Sequence, residues 1–135
     1  MEYKNPILIC DDDEDLAQML VEVLLEAGYQ AKSVSGGADA LLAVKHEEIE
    51  IVILDLSLPD IKGLEVLQML KFQERSLGRR LRVIVLTALE DSGLAETAMD
   101  RGAFYFFQKP ANTDELRKQI ALAVEQIQID RAYLD

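Results

Sequence analysis

Four short apolar runs, each followed by polar residues, limit what this chain can fold into more than any other feature. They are Ile7-Leu8-Ile9-Cys10 before Asp11-Asp12-Asp13, Ile51-Val52-Ile53-Leu54 before Asp55, Val83-Ile84-Val85-Leu86 before Thr87, and Tyr105-Phe106-Phe107-Gln108 before Lys109-Pro110. Runs of this length without polar alternation, separated by stretches of helical periodicity, read as strands of a parallel sheet buried on both faces. In an open parallel sheet, ligands bind at the carboxyl ends of the strands. Four strand ends therefore aim polar groups at one place.

The helices fall between these runs. Leu16, Met19, Leu20, Val23 and Leu24 recur at helical spacing up to Gly28, which predicts a helix over about 14–27. A short strand over 30–34 and the turn Ser35-Gly36-Gly37 lead into a second helix ending near Glu47. The proline-bearing loop Leu56-Ser57-Leu58-Pro59-Asp60 precedes a third helix over about 63–73. The stretch 74–82 reads as a polar connection, and its arginines, Arg75, Arg79, Arg80 and Arg82, as solvated. A fourth helix over about 91–101 stops at Gly102, and a fifth starts near Thr113, carrying Leu116, Ile120, Ala123, Val124 and Ile127.

Five strands alternating with five helices imply right-handed crossovers and helices on both sheet faces. The expected fold is α/β, a flavodoxin-like, doubly wound, five-stranded parallel sheet of order 2-1-3-4-5. Residues 1–135 are expected to form a single domain, with its core at about 6–128 and the last helix running to the C-terminus. In that order Asp11, Asp12 and Asp55 meet at the switch point between strands one and three.

A net charge of -11 and a pI near 4.5 argue against a direct nucleic-acid or anionic-membrane surface. No run approaches the roughly 20 apolar residues of a transmembrane helix, and Met1-Glu2-Tyr3-Lys4 lacks a signal peptide's apolar core, so a cytoplasmic location is expected. The single cysteine, Cys10, lies in an apolar run and reads as a small buried hydrophobe. His46, among Lys45, Glu47 and Glu48, reads as a surface residue.

Carboxylates converging in one pocket repel one another unless a cation is present. Mg²⁺ suits that role, since it takes oxygen ligands and is commonly bound by one or two carboxylates plus phosphate oxygens. An aspartate can itself accept a phosphoryl group, in a reaction governed mainly by positioning and charge neutralisation. Lys109 brings a mobile positive charge and Thr87 a hydroxyl donor.

With these motifs the chain resembles a receiver domain of a two-component response regulator over about residues 6–128. The matching segments are Ile7-Leu8-Ile9-Cys10-Asp11-Asp12, Ile53-Leu54-Asp55-Leu56-Ser57-Leu58-Pro59-Asp60 with Gly63, Val85-Leu86-Thr87-Ala88, and Gly102-Ala103 leading to Lys109-Pro110. The resemblance implies that Asp55 takes a phosphoryl group from a sensor histidine kinase or phosphotransfer protein. It implies that Asp11 and Asp12 hold Mg²⁺ with Asp55, that the main-chain oxygen of Ser57 completes the protein ligands, and that Thr87 and Lys109 contact the phosphoryl oxygens. It also implies a cis Lys109–Pro110 bond, which an X-Pro pair adopts at a cost of only about 0.5 to 1 kcal/mol. Thr87 and Phe106 are the expected switch, altering the surface of the fourth helix, fifth strand and last helix for a downstream protein target. Phe106 lacks the hydroxyl of a tyrosine, and Ala111 stands where many relatives carry a large apolar residue.

Along the last helix, Leu116, Ile120, Ala123, Ile127 and Leu134 follow a four-three spacing broken at Asp130. A homodimer through the fourth helix, fifth strand and last helix is therefore one expectation; the other is that this end folds back on the domain. Three further readings compete for the acidic segment. Asp11-Asp12-Asp13 contains the Asp-x-Asp of a haloacid dehalogenase-type Mg-dependent phosphatase, but no acidic strand end follows Lys109. A nucleotide binder of this fold would need a phosphate-cradling loop where the acidic triplet stands. An EF-hand loop needs glycine where Leu16 sits.

Overall fold

A computed structural model describes residues 2–134 of the chain. Five strands and five helices alternate: β1 (Ile7–Cys10), α1 (Glu14–Glu26), β2 (Ala31–Val34), α2 (Gly37–His46), β3 (Ile51–Leu54), α3 (Gly63–Ser76), β4 (Arg82–Thr87), α4 (Leu94–Asp100), β5 (Tyr105–Gln108) and α5 (Thr113–Leu134). All strand pairs are parallel, in the order β2-β1-β3-β4-β5. This is the flavodoxin-like arrangement the apolar runs predict. Among the described residues no helix is long and apolar enough to cross a membrane.

Successive strand residues face opposite ways and both sets are buried. Leu8, Cys10, Val52, Leu54, Val83 and Val85 pack with α2, α3 and α4, while Ile7, Ile9, Ile51, Ile53, Ile84 and Leu86 pack with α1 and α5. Register fixes the site, because Cys10 pairs with Leu54, so Asp11 and Asp55 leave neighbouring strands side by side. The Lys109–Pro110 bond is cis.

Several boundaries differ from the sequence reading. Helix α1 stops one residue early, with Gly28 just beyond it at φ 95°. Helix α2 likewise stops at His46, and β2 begins at Ala31. Helix α3 runs three residues further than predicted, to Ser76, and Glu74 pairs with Lys71 at 2.8 Å and accepts from the Leu81 amide at 2.7 Å. Helix α4 is shorter, because Gly93 in the left-handed region at φ 83° delays its start to Leu94.

The arginines expected in solvent are mostly structural. Arg79 donates to the main-chain oxygens of Lys45 and Glu47, completing the carbonyls that the end of α2 leaves free, and Arg82 pairs with Asp130 at 2.9 Å. Only Arg75 of the four is exposed. The described members of the α5 stripe are also spent internally: Leu116, Ile120, Ala123 and Ile127 are all buried in the core beneath α1 and α5. The side chain of Leu134 lies outside the described residues.

The far end of α5 is fastened through Glu50, a buried carboxylate just before β3. It accepts from the Tyr3 hydroxyl at 2.9 Å and from Asn5 Nδ2 at 2.8 Å, and it pairs with Arg131. Replacing Glu50 by leucine leaves the Tyr3 hydroxyl buried without an acceptor. A loss of about 2 kcal/mol in urea unfolding is expected.

Candidate functional site

The carboxyl ends of β1, β3, β4 and β5 deliver Asp11, Asp55, Thr87 and Lys109 to one edge of the sheet. Main-chain hydrogen bonds hold each residue there: Asp11 N donates to Val34 O at 3.1 Å, Asp55 N to Cys10 O at 2.9 Å, and Lys109 N to Thr87 O at 2.8 Å. Asp11 and Asp55 are each only 4% exposed, and Asp12 beside them faces solvent. One carboxylate oxygen from each of the three lies within 4.8 Å of the others. Lys109 Nζ bridges the two buried members, 2.8 Å from Asp11 Oδ2 and 3.1 Å from Asp55 Oδ2. Their other oxygens are also engaged, Asp11 Oδ1 by the Asp13 amide at 2.9 Å and Asp55 Oδ1 by the Ser57 amide at 3.1 Å.

Burial raises the Asp11 pKa, and the Asp55 charge adds to it; hydrogen bonds from Lys109 and the Asp13 amide offset only part of the rise. Because its folded-state pKa exceeds the unfolded one, this group's contribution to stability is full below the unfolded pKa and is lost as pH climbs through the folded pKa. Burial by itself would lower the Lys109 pKa, but its hydrogen bonds to Asp11 and Asp55 outweigh that and raise it. The ammonium thus stays charged, yet a single positive charge faces three carboxylates. The donor set is all hard oxygen with an exposed member, Asp12, on the open side, and it fits a small divalent cation.

Thr87 is fully buried, and its hydroxyl oxygen accepts from the Leu89 amide at 3.3 Å, so the side chain faces the loop after β4 and makes no hydrogen bond to the carboxylates among the described residues. Phe106 pairs with Val85 across β4 and β5 and packs, half-buried, on the α2–α3–α4 side of the core. Ser57 is exposed two residues beyond Asp55. Asp13 caps α1 through the Leu16 amide at 3.1 Å, and His46 lies in solvent, where the sequence puts it.

One residue with a role here escaped the sequence reading. Asp60, in the loop after β3, accepts from the Gly37 and Ala38 amides at 2.9 and 3.0 Å and thereby caps α2. These amide bonds, Ala38's foremost, hold its carboxyl below the usual range. The available signal was negative: Gly36, at the N-cap of α2, has no side chain to cap with, so an acceptor had to come from elsewhere.

Cys10 sits beneath the site, its thiol 3.4 Å from Gly36 O. Burial, with the charges of Asp60, Asp11 and Asp55, pushes its pKa up to about 12. Since the thiolate is the reactive form, modification by iodoacetamide at pH 8 should be at least about a hundredfold slower in the folded protein than in urea. Comparable rates would contradict this burial.

A family model for the response regulator receiver domain matches residues 7–121. The chain belongs to that family. Sporulation initiation phosphotransferase F of Bacillus subtilis is 32% identical to this receiver domain over 114 residues, covering 84% of this chain and 89% of that one. The transcriptional regulatory protein KdpE of Mycobacterium tuberculosis is 36% identical over 118 residues, 87% of this chain but 50% of its own length, so the receiver domain spans about half of that relative. Among solved structures, the signal receiver domain of a putative Luxo repressor protein from Vibrio parahaemolyticus superposes with a TM-score of 0.85 at 27% identity, covering 96% of this chain and 97% of that one. The BeF3-activated DrrB receiver domain gives 0.79 at 28% identity, covering 91% and 99%. Neither the site nor these relatives supports a dehalogenase-type phosphatase.

Proposed function

We propose that this receiver domain is a phosphoacceptor of two-component signalling in the cytoplasm, with Asp55 receiving the phosphoryl group of a phosphohistidine on a sensor histidine kinase or phosphotransfer protein. The observation that carries this reading is the buried Asp55 carboxylate held by Lys109 at 3.1 Å, with carboxylate oxygens of Asp11 and Asp12 within 4.8 Å. A carboxylate oxygen of Asp55 forms the new bond to phosphorus as the nitrogen–phosphorus bond breaks, and the imidazole leaves with that electron pair. Asp11, Asp12, Asp55 and the main-chain oxygen of Ser57 would hold Mg²⁺, which would supply charge neutralisation for the phosphoryl oxygens. Lys109 adds a second positive charge, and the Thr87 hydroxyl is the donor that turns toward the modified Asp55. Gain and loss of the phosphoryl group both run on these residues, so the domain is a signalling module with its own chemistry.

Phosphorylation takes the charge at Asp55 from that of a carboxylate to about -2 and adds new acceptor oxygens, which draws Thr87 away from the loop after β4, and Phe106 moves into the space it leaves. The surface of α4, β5 and α5 is then the one a downstream protein target reads. A net charge of -11 supports a protein rather than a nucleic acid as the direct partner. Intact-mass measurement after incubation with acetyl phosphate and Mg²⁺ tests the reading. A single phosphoryl increment that disappears with EDTA is expected; increments indifferent to EDTA, or none with any phosphodonor, would refute it.

A further inference from the structure

A groove of about 670 Å³ lies between α2 and α3, lined by Leu41 and Lys45 on one side and by Glu65, Met69, Phe72 and Leu77 along the other. Phe72 is 58% exposed, Leu42 53%, Met69 44% and Leu77 41%, so four large apolar side chains on or at the end of these two helices stand about half open to solvent. An apolar face of this kind marks an association surface.

Charge identifies the occupant. Helix α2 carries one acid, Asp39, and one base, Lys45, while α3 balances Glu65 and Glu74 with Lys71 and Arg75. By contrast α1 holds Glu14, Asp15, Glu22 and Glu26 with no base, and α4 holds Glu96 and Asp100 with none. In a chain of net charge -11, the helices of the α2–α3 face carry no net charge, so two copies can meet there without the repulsion that α1 and α4 would bring. It also has a polarity. The helices run parallel: Gly37 at the start of α2 lies against Val66, and further along Gln73 Nε2 reaches Leu41 O at 3.3 Å. Glu65 thus marks one end of the groove and Lys45 the other. A two-fold axis across α3 reverses that helix in the second copy, bringing each Glu65 to the opposing Lys45.

We propose that this face joins two copies of the chain in an isologous dimer, with Phe72 of each copy entering the other's groove and Glu65 pairing with Lys45 across the axis. None of these residues belongs to the Asp11–Asp55–Lys109 site. Sedimentation equilibrium of the full chain from about 1 to 500 µM should show a concentration-dependent dimer. Phe72→Glu should raise its dissociation constant about tenfold or more, with circular dichroism unchanged. Glu65→Lys and Lys45→Glu should each weaken the dimer, and the double variant should restore it, while Leu122→Glu on α5 should leave it intact. A monomer throughout the range overturns the proposal and leaves the groove to a helix of another protein. A dimer that tolerates Phe72→Glu but yields to Leu122→Glu, or single-variant losses that the double does not repair, overturns it equally.

Discussion

Asp55→Asn is expected to reduce phosphate incorporation to background. The amide keeps the size of the carboxylate and an oxygen for the Ser57 amide, now 3.1 Å from Asp55 Oδ1, so the loop after β3 has no reason to move. What disappears is the anionic oxygen able to form a bond to phosphorus. Lys109 retains Asp11 at 2.8 Å, so the ammonium is not stranded. Intact-mass spectra should show no phosphoryl adduct while circular dichroism melting stays near that of the parent. An adduct of equal yield would mean that Asp11 or Asp12 is the acceptor.

Gly63→Ala should cost about 3 kcal/mol or more, roughly 10 °C in melting temperature for a chain of this size. A Cβ on Gly63 would sit 2.2 Å from Leu56 Cα and 2.8 Å from Leu56 O. Those are main-chain atoms directly after Asp55, and Gly63 N is hydrogen-bonded to the same Leu56 O at 3.1 Å. No rotamer change relieves the clash, since helix and loop would have to separate. Thermal unfolding of the variant checks this, and a melting temperature within a degree of the parent would contradict the close approach. Gly78→Ala makes a useful comparison, because a Cβ there meets nothing within 4 Å and any penalty comes from its φ of 65°.

The sheet was legible because buried parallel strands must be apolar on both faces, and strands such as Ile51–Leu54 satisfy that with no polar interruption. The positions of Asp11, Asp55 and Lys109 followed from the same logic, since a residue just past such a strand is placed by the strand itself. The failures share a different cause. Arg79 and Arg82 look solvated in a list of charges, but their partners, the carbonyls ending α2 and the carboxylate of Asp130, are 32 to 48 residues away. The α5 stripe is a different case, which left two expectations open because periodicity does not say whether the surface it meets belongs to the same molecule; Ile127 meets its own core, as the fold-back expectation has it. The cap on α2 was invisible for the same reason as the arginine contacts, because its acceptor follows the amides it caps by more than twenty residues.

That borrowed cap has a consequence for anyone recombining members of this family. Asp60 travels with the segment that bears Asp55, while the amides it serves belong to a helix encoded upstream. A chimera that exchanges residues 55–63 for a relative's loop lacking a carboxylate at position 60 would carry a sound phosphoacceptor and an α2 with a frayed start. The two stretches form one heritable unit, and crossover points between 39 and 59 divide it.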